Sequence, residues 1–512
     1  MNKSLLLTLL ACLAAAAQPV RVERLKADIQ FLACQPLEGR RALERGSDVA
    51  AHFIAAEFMK AGLRPAASGC FLQTFLVLQH RTDPKATRLS LRSASGRREL
   101  EYGRDFTVSF PREIQLRAPL VFAGYGITAP EYGYDDYAGL DVRGKIALVI
   151  EYEPRAYDPS SPFNGAGNTI HASPRRKLLN AQAHGAAAVM LIPAPNRKRP
   201  LRLARGGVVE SLAESEVHIP LITLSAETAT RLLEEAGRKP ADLQAAIDGE
   251  LRPVRLPLAT QAELKLVNAE SRRGATANVA GLLEGADPAL REETIIFSAH
   301  YDHLGMREGK LLPGADDNAS GTAGLLELAR LFAAEQARPR RSILFVAFGA
   351  EEAGLLGSYY YVSHPLRPLG STRAVINLDM IGRDEKPSQQ TARLIEIAAD
   401  TSNEINLVGA FYSAELRAVI ERENAAIGLR LSDKWDRDAA LNILWRCDHF
   451  PFLLHQTPAV WFFNGFTPDY HTPADTPEKI NFAKMEKIVR LAYRCGRALA
   501  EQQGWPRFAA AK

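Results

Sequence analysis

Cysteine is scarce in this chain: there are five in 512 residues, none spaced as Cys-x-x-Cys. That excludes a thiolate zinc site and a dithiol redox motif. Long apolar runs are also missing. Beyond the N-terminus none reaches the ~18 residues that a membrane-spanning helix requires, so no integral membrane segment is expected. Neither sign of charge dominates, because 63 Lys and Arg stand against 59 Asp and Glu for a net +4. A balance so near neutrality gives no support to nucleic acid as a partner. No repeat of fixed period is visible. What is present is 46% hydrophobic and 24% charged, an ordinary globular composition that rules out disorder and collagen. At ~100–200 residues per domain, the length predicts two to four domains.

The first residues read as an address. Lys3 precedes Leu5–Ala17, which is apolar apart from Thr8 and ends in Ala15-Ala16-Ala17. A charged start, a short apolar core and small residues at its end predict a secretory signal over 1–17, cleaved before Gln18. Leu9-Leu10-Ala11-Cys12 also resembles a lipoprotein box, with Cys12 carrying the lipid. The expected location is therefore the periplasm or the exterior. Four cysteines would remain: Cys34, Cys70, Cys447 and Cys495. In an oxidising compartment Cys34–Cys70 and Cys447–Cys495 are the short-range pairings. Four buried small hydrophobes is the other reading.

Periodicity divides the rest. Residues 22–64 read as mostly helical, with Val49, Phe53, Ala56 and Met59 on one face. Residues 71–120 alternate apolar and polar in short runs, as strands do. Residues 118–255, rich in Gly, Pro, Tyr and Asp, read as a separate inserted domain, leaving 18–117 and 256–512 on either side. From about residue 263 short apolar strands alternate with helices: TIIFSA (294–299), SGTAGLLELARLFAAE (320–335), SILFVAF (342–348), AVINLDM (374–380), PAVWFF (458–463) and a closing helix over 484–502. That pattern predicts an α/β fold with a mostly parallel sheet flanked by helices on both faces.

In such a sheet ligands gather at the carboxyl ends of the strands. After TIIFSA come His300, Tyr301, Asp302 and His303. Asp316 and Asp317 follow on a loop. After SILFVAF come Glu351 and Glu352, the third strand ends near Asp379, and after PAVWFF a loop reaches Asp469, Tyr470 and His471. Singly, each has an ordinary explanation: Asp316 or Asp317 suits a helix N-cap, and His300 and His303 suit a core or a turn. Together they form a set of imidazoles and carboxylates without thiolate, which fits zinc. Five ligand side chains over-supply a single zinc. Two ions ~3.5–4 Å apart sharing one carboxylate use them fully.

The motifs HYDHLG, PGADDNASG, GAEEAGLLGS, NLDMIGR and DYHTPADTPEKIN resemble those of the di-zinc aminopeptidases, bacterial leucyl-aminopeptidase type, relatives of glutamate carboxypeptidase and the transferrin receptor. The resemblance covers roughly residues 263–505 plus the helical N-terminal part. The stretch VFAGYGITAPEYGYDDYAGLDVRGKIALVI is similar to a protease-associated domain. The resemblance implies a phosphorylase/hydrolase-like zinc exopeptidase fold with an inserted β-rich α+β domain. It further implies two zinc ions, with His300 and Asp379 on one, Glu352 and His471 on the other, and Asp317 bridging, Asp316 being its rival by one residue. Glu351 would be the general base on a bridging water, Asp302 would orient the His300 ring, and Tyr470 would stabilise the oxyanion. The implied activity is removal of N-terminal residues from peptide substrates. A carboxypeptidase of the glutamate-carboxypeptidase branch, a glutaminyl cyclase-like enzyme and a non-catalytic receptor-like ectodomain are the alternatives. Residues 385–445, with Ile395, Ile397, Leu407, Val408, Phe411 and Tyr412, are expected either to wall the substrate pocket or to be core. Arg383 is a candidate partner for a substrate carboxylate.

Overall fold

A computed structural model describes residues 19–109, 113–203, 207–391 and 394–509. The expected leader and Cys12 lie outside the described residues. Two large sheets organise the chain. In the ten-stranded sheet, Ser342–Phe348, Thr294–His300, Thr372–Leu378 and Ala459–Phe463 lie side by side and parallel. Glu404–Val408 runs antiparallel to the last of these, and Asn268–Leu283 closes the other flank, also antiparallel.

The parallel strands are apolar because both of their faces are covered. Side chains alternate between two cores, as the two-residue period of a strand demands. Ile295, Phe297, Ile343, Phe345 and Ile376 pack with helices Val22–Leu32, Gly321–Ala333 and Phe482–Glu501. Ile296, Leu344, Val346, Phe348 and Val375 pack on the opposite face with Tyr361, Phe452 and Trp461. The closing helix begins where the Asn481 side chain caps the Lys484 N–H at 3.2 Å. The chain is thus mixed α/β, with mixed sheets.

The second, eight-stranded sheet holds its own core around Phe122, Leu148, Met190 and Ile222. Its strands come from both sides of the 118–255 segment. Arg88–Ser93, Gly96–Leu100, Phe106–Ser109 and Arg255–Leu266 all belong to it. One strand of that segment, Val208–Leu212, instead returns to pair antiparallel with Leu72–Thr82 at the edge of the first sheet. Backbone pairing, invisible to composition, decides both memberships. All four described cysteines are free: Cys447 and Cys495 are buried, Cys34 is half-buried and Cys70 is exposed.

Candidate metal centre

The carboxyl ends of the four parallel strands meet on one rim. His300 is the last residue of its strand, and its carbonyl accepts from Thr322 Oγ1 at 2.7 Å. Asp379 follows Leu378 directly, and Glu351 and Glu352 follow Phe348 by a short turn. Next to these residues the backbone adopts left-handed angles without glycine, at Ala350 (φ 58°), Met380 (φ 55°) and His471 itself (φ 58°). Such angles persist only where surrounding structure imposes them, and they cluster at functional sites.

His300 Nε2 lies 3.3 Å from Asp379 Oδ1, 3.5 Å from Asp317 Oδ1 and 3.9 Å from Glu351 Oε2. His471 Nε2 lies 2.9 Å from Asp317 Oδ2 and 3.4 Å from Glu352 Oε1. Asp317 therefore touches both imidazoles, one with each oxygen. Its neighbour Asp316 is turned away, accepting from the Gly382 N–H at 2.7 Å and from Ser320 Oγ at 3.2 Å. Two groups of donor atoms lie within 4.8 Å of one another: His300, Glu351 and Asp379, and His303, Asp317 and Glu352.

The electrostatics follow from the crowding of buried charge. Burial, with Glu352, Asp448 and Asp379 close by, pushes the Glu351 carboxyl well above its usual range. Glu352 goes the other way: burial alone would raise it, but hydrogen bonds from His303 and His471 hold it well below. Burial would lower His471, yet Asp317 and Glu352 push it up to about 10. Like-charged carboxylates this close are held apart in energy unless a cation stands among them. Three imidazoles and four carboxylates, oxygen and nitrogen donors only, converge with side chains between 0% and 28% exposed, and this donor set fits divalent cations such as zinc.

Three expected contacts differ in detail. The Asp302 carboxylate stands 3.9 Å from His300 Nδ1, while the Asp302 carbonyl oxygen is nearer, at 3.2 Å. The carboxylate instead accepts the backbone N–H groups of Glu351 (3.0 Å) and Glu352 (3.3 Å), clamping the double-Glu turn. Tyr470 stacks on the His471 ring at 3.7 Å between centroids, and burial raises its phenol well above the usual value. Arg383 pairs with Asp469 at 2.9 Å rather than facing open space. The 385–445 stretch splits: Leu407, Val408 and Tyr412 are core, whereas Ile395 and Ile397 line a cavity of about 820 Å³ that reaches Pro468.

Two residues outside the expected set stand out. Fully buried Arg40 donates from Nε to the Tyr301 carbonyl at 2.8 Å, from Nη1 to those of Leu32 and Pro313 (the latter at 2.8 Å), and from Nη2 to that of Gly314 at 3.0 Å. It thereby ties the His300 segment to the Asp317 loop. His303, expected as a turn residue as readily as a ligand, is buried against Glu352.

The profile of peptidase family M28 matches residues 278–495, and that of the PA domain matches residues 116–232. The chain is similar to "Aminopeptidase YwaD" of Bacillus subtilis (strain 168), with 30% identity over 271 residues, 52% of this chain and 46% of that protein. It is also similar to the "Glutamate carboxypeptidase 2 homolog" of Caenorhabditis elegans, with 27% identity over 412 residues, 70% of this chain and 50% of that one. The chain thus spans about half the length of these curated relatives. Among solved structures, the aminopeptidase from Aneurinibacillus sp. strain AM-1 aligns over 96% of each chain at 22% identity and a TM-score of 0.49.

Proposed function

Residues 278–495 being a peptidase family M28 domain and residues 116–232 a PA domain, we propose that the chain is an exported zinc-dependent exopeptidase that removes N-terminal residues from peptides. One observation carries the reading. Asp317 reaches His300 with one oxygen and His471 with the other, so the two histidines and their partner acids Asp379 and Glu352 share a single carboxylate. In this reading His300 and Asp379 would hold one zinc ion and Glu352 and His471 the second, with Asp317 as the ligand common to both. When bound, the pair supplies Lewis acidity and a water that ionises near neutral pH.

The chain's own groups do the rest. Glu351 takes the proton of the attacking water and returns it to the departing amine, a role typically worth ~10²–10⁴-fold. Asp302 fixes the backbone of Glu351 and Glu352, so that the first side chain reaches toward His300 and the second toward His471. Tyr470, kept protonated by burial, donates to the developing oxyanion. The cavity beside Ile395, Ile397 and Pro468 is large enough for an apolar first residue. The apolar stretch 5–17 supports export through a cleaved leader, with the lipid on Cys12 as the second route.

The test is an assay of the purified chain on aminoacyl-anilides, N-blocked peptides and peptides ending in glutamate, with and without chelator. The expected result is cleavage of free-amine substrates alone, lost on chelation and restored by zinc. Cleavage confined to blocked or glutamate-terminated peptides would move the activity to the carboxypeptidase branch.

A further inference from the structure

HYDH at the end of strand Thr294–His300 offers two histidines, and the proposed function uses only the first. The His303 side chain is 0% exposed, and its Nδ1 lies 2.8 Å from Glu352 Oε1 and 3.9 Å from Asp317 Oδ2. The ring has little freedom. Its backbone N–H donates to the Arg40 carbonyl at 3.1 Å, and it lies edge-on to His471 with centroids 5.6 Å apart. Its Cγ and Cδ2 press so closely on Gly314 that a Cβ there would stand 2.6 Å from both. Among the described residues, no hydrogen-bond partner reaches His303 Nε2. A side chain confined this tightly directs its single polar contact at Glu352.

An ionised carboxylate only accepts, so in that contact Nδ1–H is the donor. Glu352 then receives support from two positions of the same strand exit. Asp302 holds its backbone N–H, and His303 holds its Oε1. The carboxylate is left facing Asp317 and His471. Carboxylate ligands are commonly fixed by a hydrogen bond of this kind, and its loss typically lowers metal affinity 10–100-fold.

We propose that His303 is a positioning residue for the metal centre: its Nδ1–H holds the Glu352 carboxylate in the orientation that receives the cation shared with Asp317 and His471. This rests on the two-cation reading above. The test compares the wild-type full chain with His303→Ala and His303→Asn, the asparagine amide standing close to where Nδ1–H stood. Each chelator-treated protein is titrated calorimetrically with zinc, its melting temperature is measured metal-free, and the cobalt-loaded form is examined by visible absorption. The expected result is two zinc equivalents in the wild type, with one of them weakened about 10–100-fold in His303→Ala. His303→Asn should recover most of the loss, with a cobalt spectrum of wild-type shape. Two equivalents bound by His303→Ala as tightly as by the wild type would remove His303 from this role while leaving the two-cation reading intact. Failure of His303→Asn to recover affinity, with a cobalt band altered as by loss of an imidazole, would make His303 a ligand and overturn the positioning assignment. A folded wild type that takes up no zinc would remove both readings together.

Discussion

Both sheets bury charge, and they handle it in opposite ways. In the core beneath the second sheet, Lys177 donates to the carbonyl oxygens of Tyr125 and Tyr152. Nearby, Asp136 accepts from the N–H groups of Tyr125 (3.0 Å) and Ile127 (3.0 Å) and from the Tyr134 hydroxyl (2.8 Å). Glu153 accepts from the Thr169 N–H at 2.9 Å and from its hydroxyl. Burial moves all three, Lys177 down to about 7 and Asp136 and Glu153 up to about 7. Yet each group ends on neutral donors or acceptors of the local fold. On the rim of the first sheet, His300, Asp317, Glu352 and His471 face other charged side chains. A buried ionisable group is therefore no sign of function by itself. Several of them aimed at one another, with too few neutral partners, are.

That contrast can be broken by experiment. The largest effect is expected on the rim. Glu351→Gln should keep both zinc equivalents and lose about 10²–10⁴-fold in turnover, as read by kcat beside elemental analysis, and full activity would remove Glu351 as the base. Next is the insert, where Lys177→Met leaves the buried carbonyl oxygens of Tyr125 and Tyr152 without their donor. An unsatisfied buried acceptor typically costs about 1–3 kcal/mol, so the melting temperature should fall while the zinc content stays at two. Loss of zinc in that variant would mean the two regions are not separate in function. Arg40→Lys probes the link to the rim. Lysine keeps the charge but not the planar fork, leaving carbonyls of the Tyr301 and Pro313 segments unpaired at about 1–3 kcal/mol each, and zinc should bind more weakly as well. The smallest effect is on pH. Burial disfavours a proton on His471, but Asp317 and Glu352 outweigh it and raise the group to about 10. Below that value a cation must displace the proton, so zinc affinity should rise with pH by up to about tenfold per unit for each proton released. Affinity independent of pH between 6 and 8 would contradict the arrangement at His471.

Much of the rim was legible from the chain itself, because local chemistry marks it. A strand's apolar run ends abruptly in His, Asp or Glu, and the parallel order forces those ends together. Motif register favours Asp317 over Asp316 as the shared ligand; in the structure Asp316 accepts from Gly382 and Ser320, while Asp317 faces His300 and His471. What escaped depends on distance along the chain. Arg40 sits in a segment that reads only as a helix break, and three of its four partner carbonyls, those of Tyr301, Pro313 and Gly314, lie more than 260 residues away. The reach of the second sheet back to Arg88, and the return of Val208–Leu212 to the first, rest on ladder pairing between backbones that no side-chain pattern announces. His303 was visible but ambiguous, since a histidine three residues past a ligand suits a turn equally well.

The central claim is that side chains from four strand ends hold two cations through one shared carboxylate. Zinc titration of the chelator-treated full chain, beside His471→Ala, tests it most directly. The account predicts two equivalents in the wild type and one in the variant. A folded wild-type protein that takes up none, or a variant that still takes up two with unchanged affinity, would contradict it.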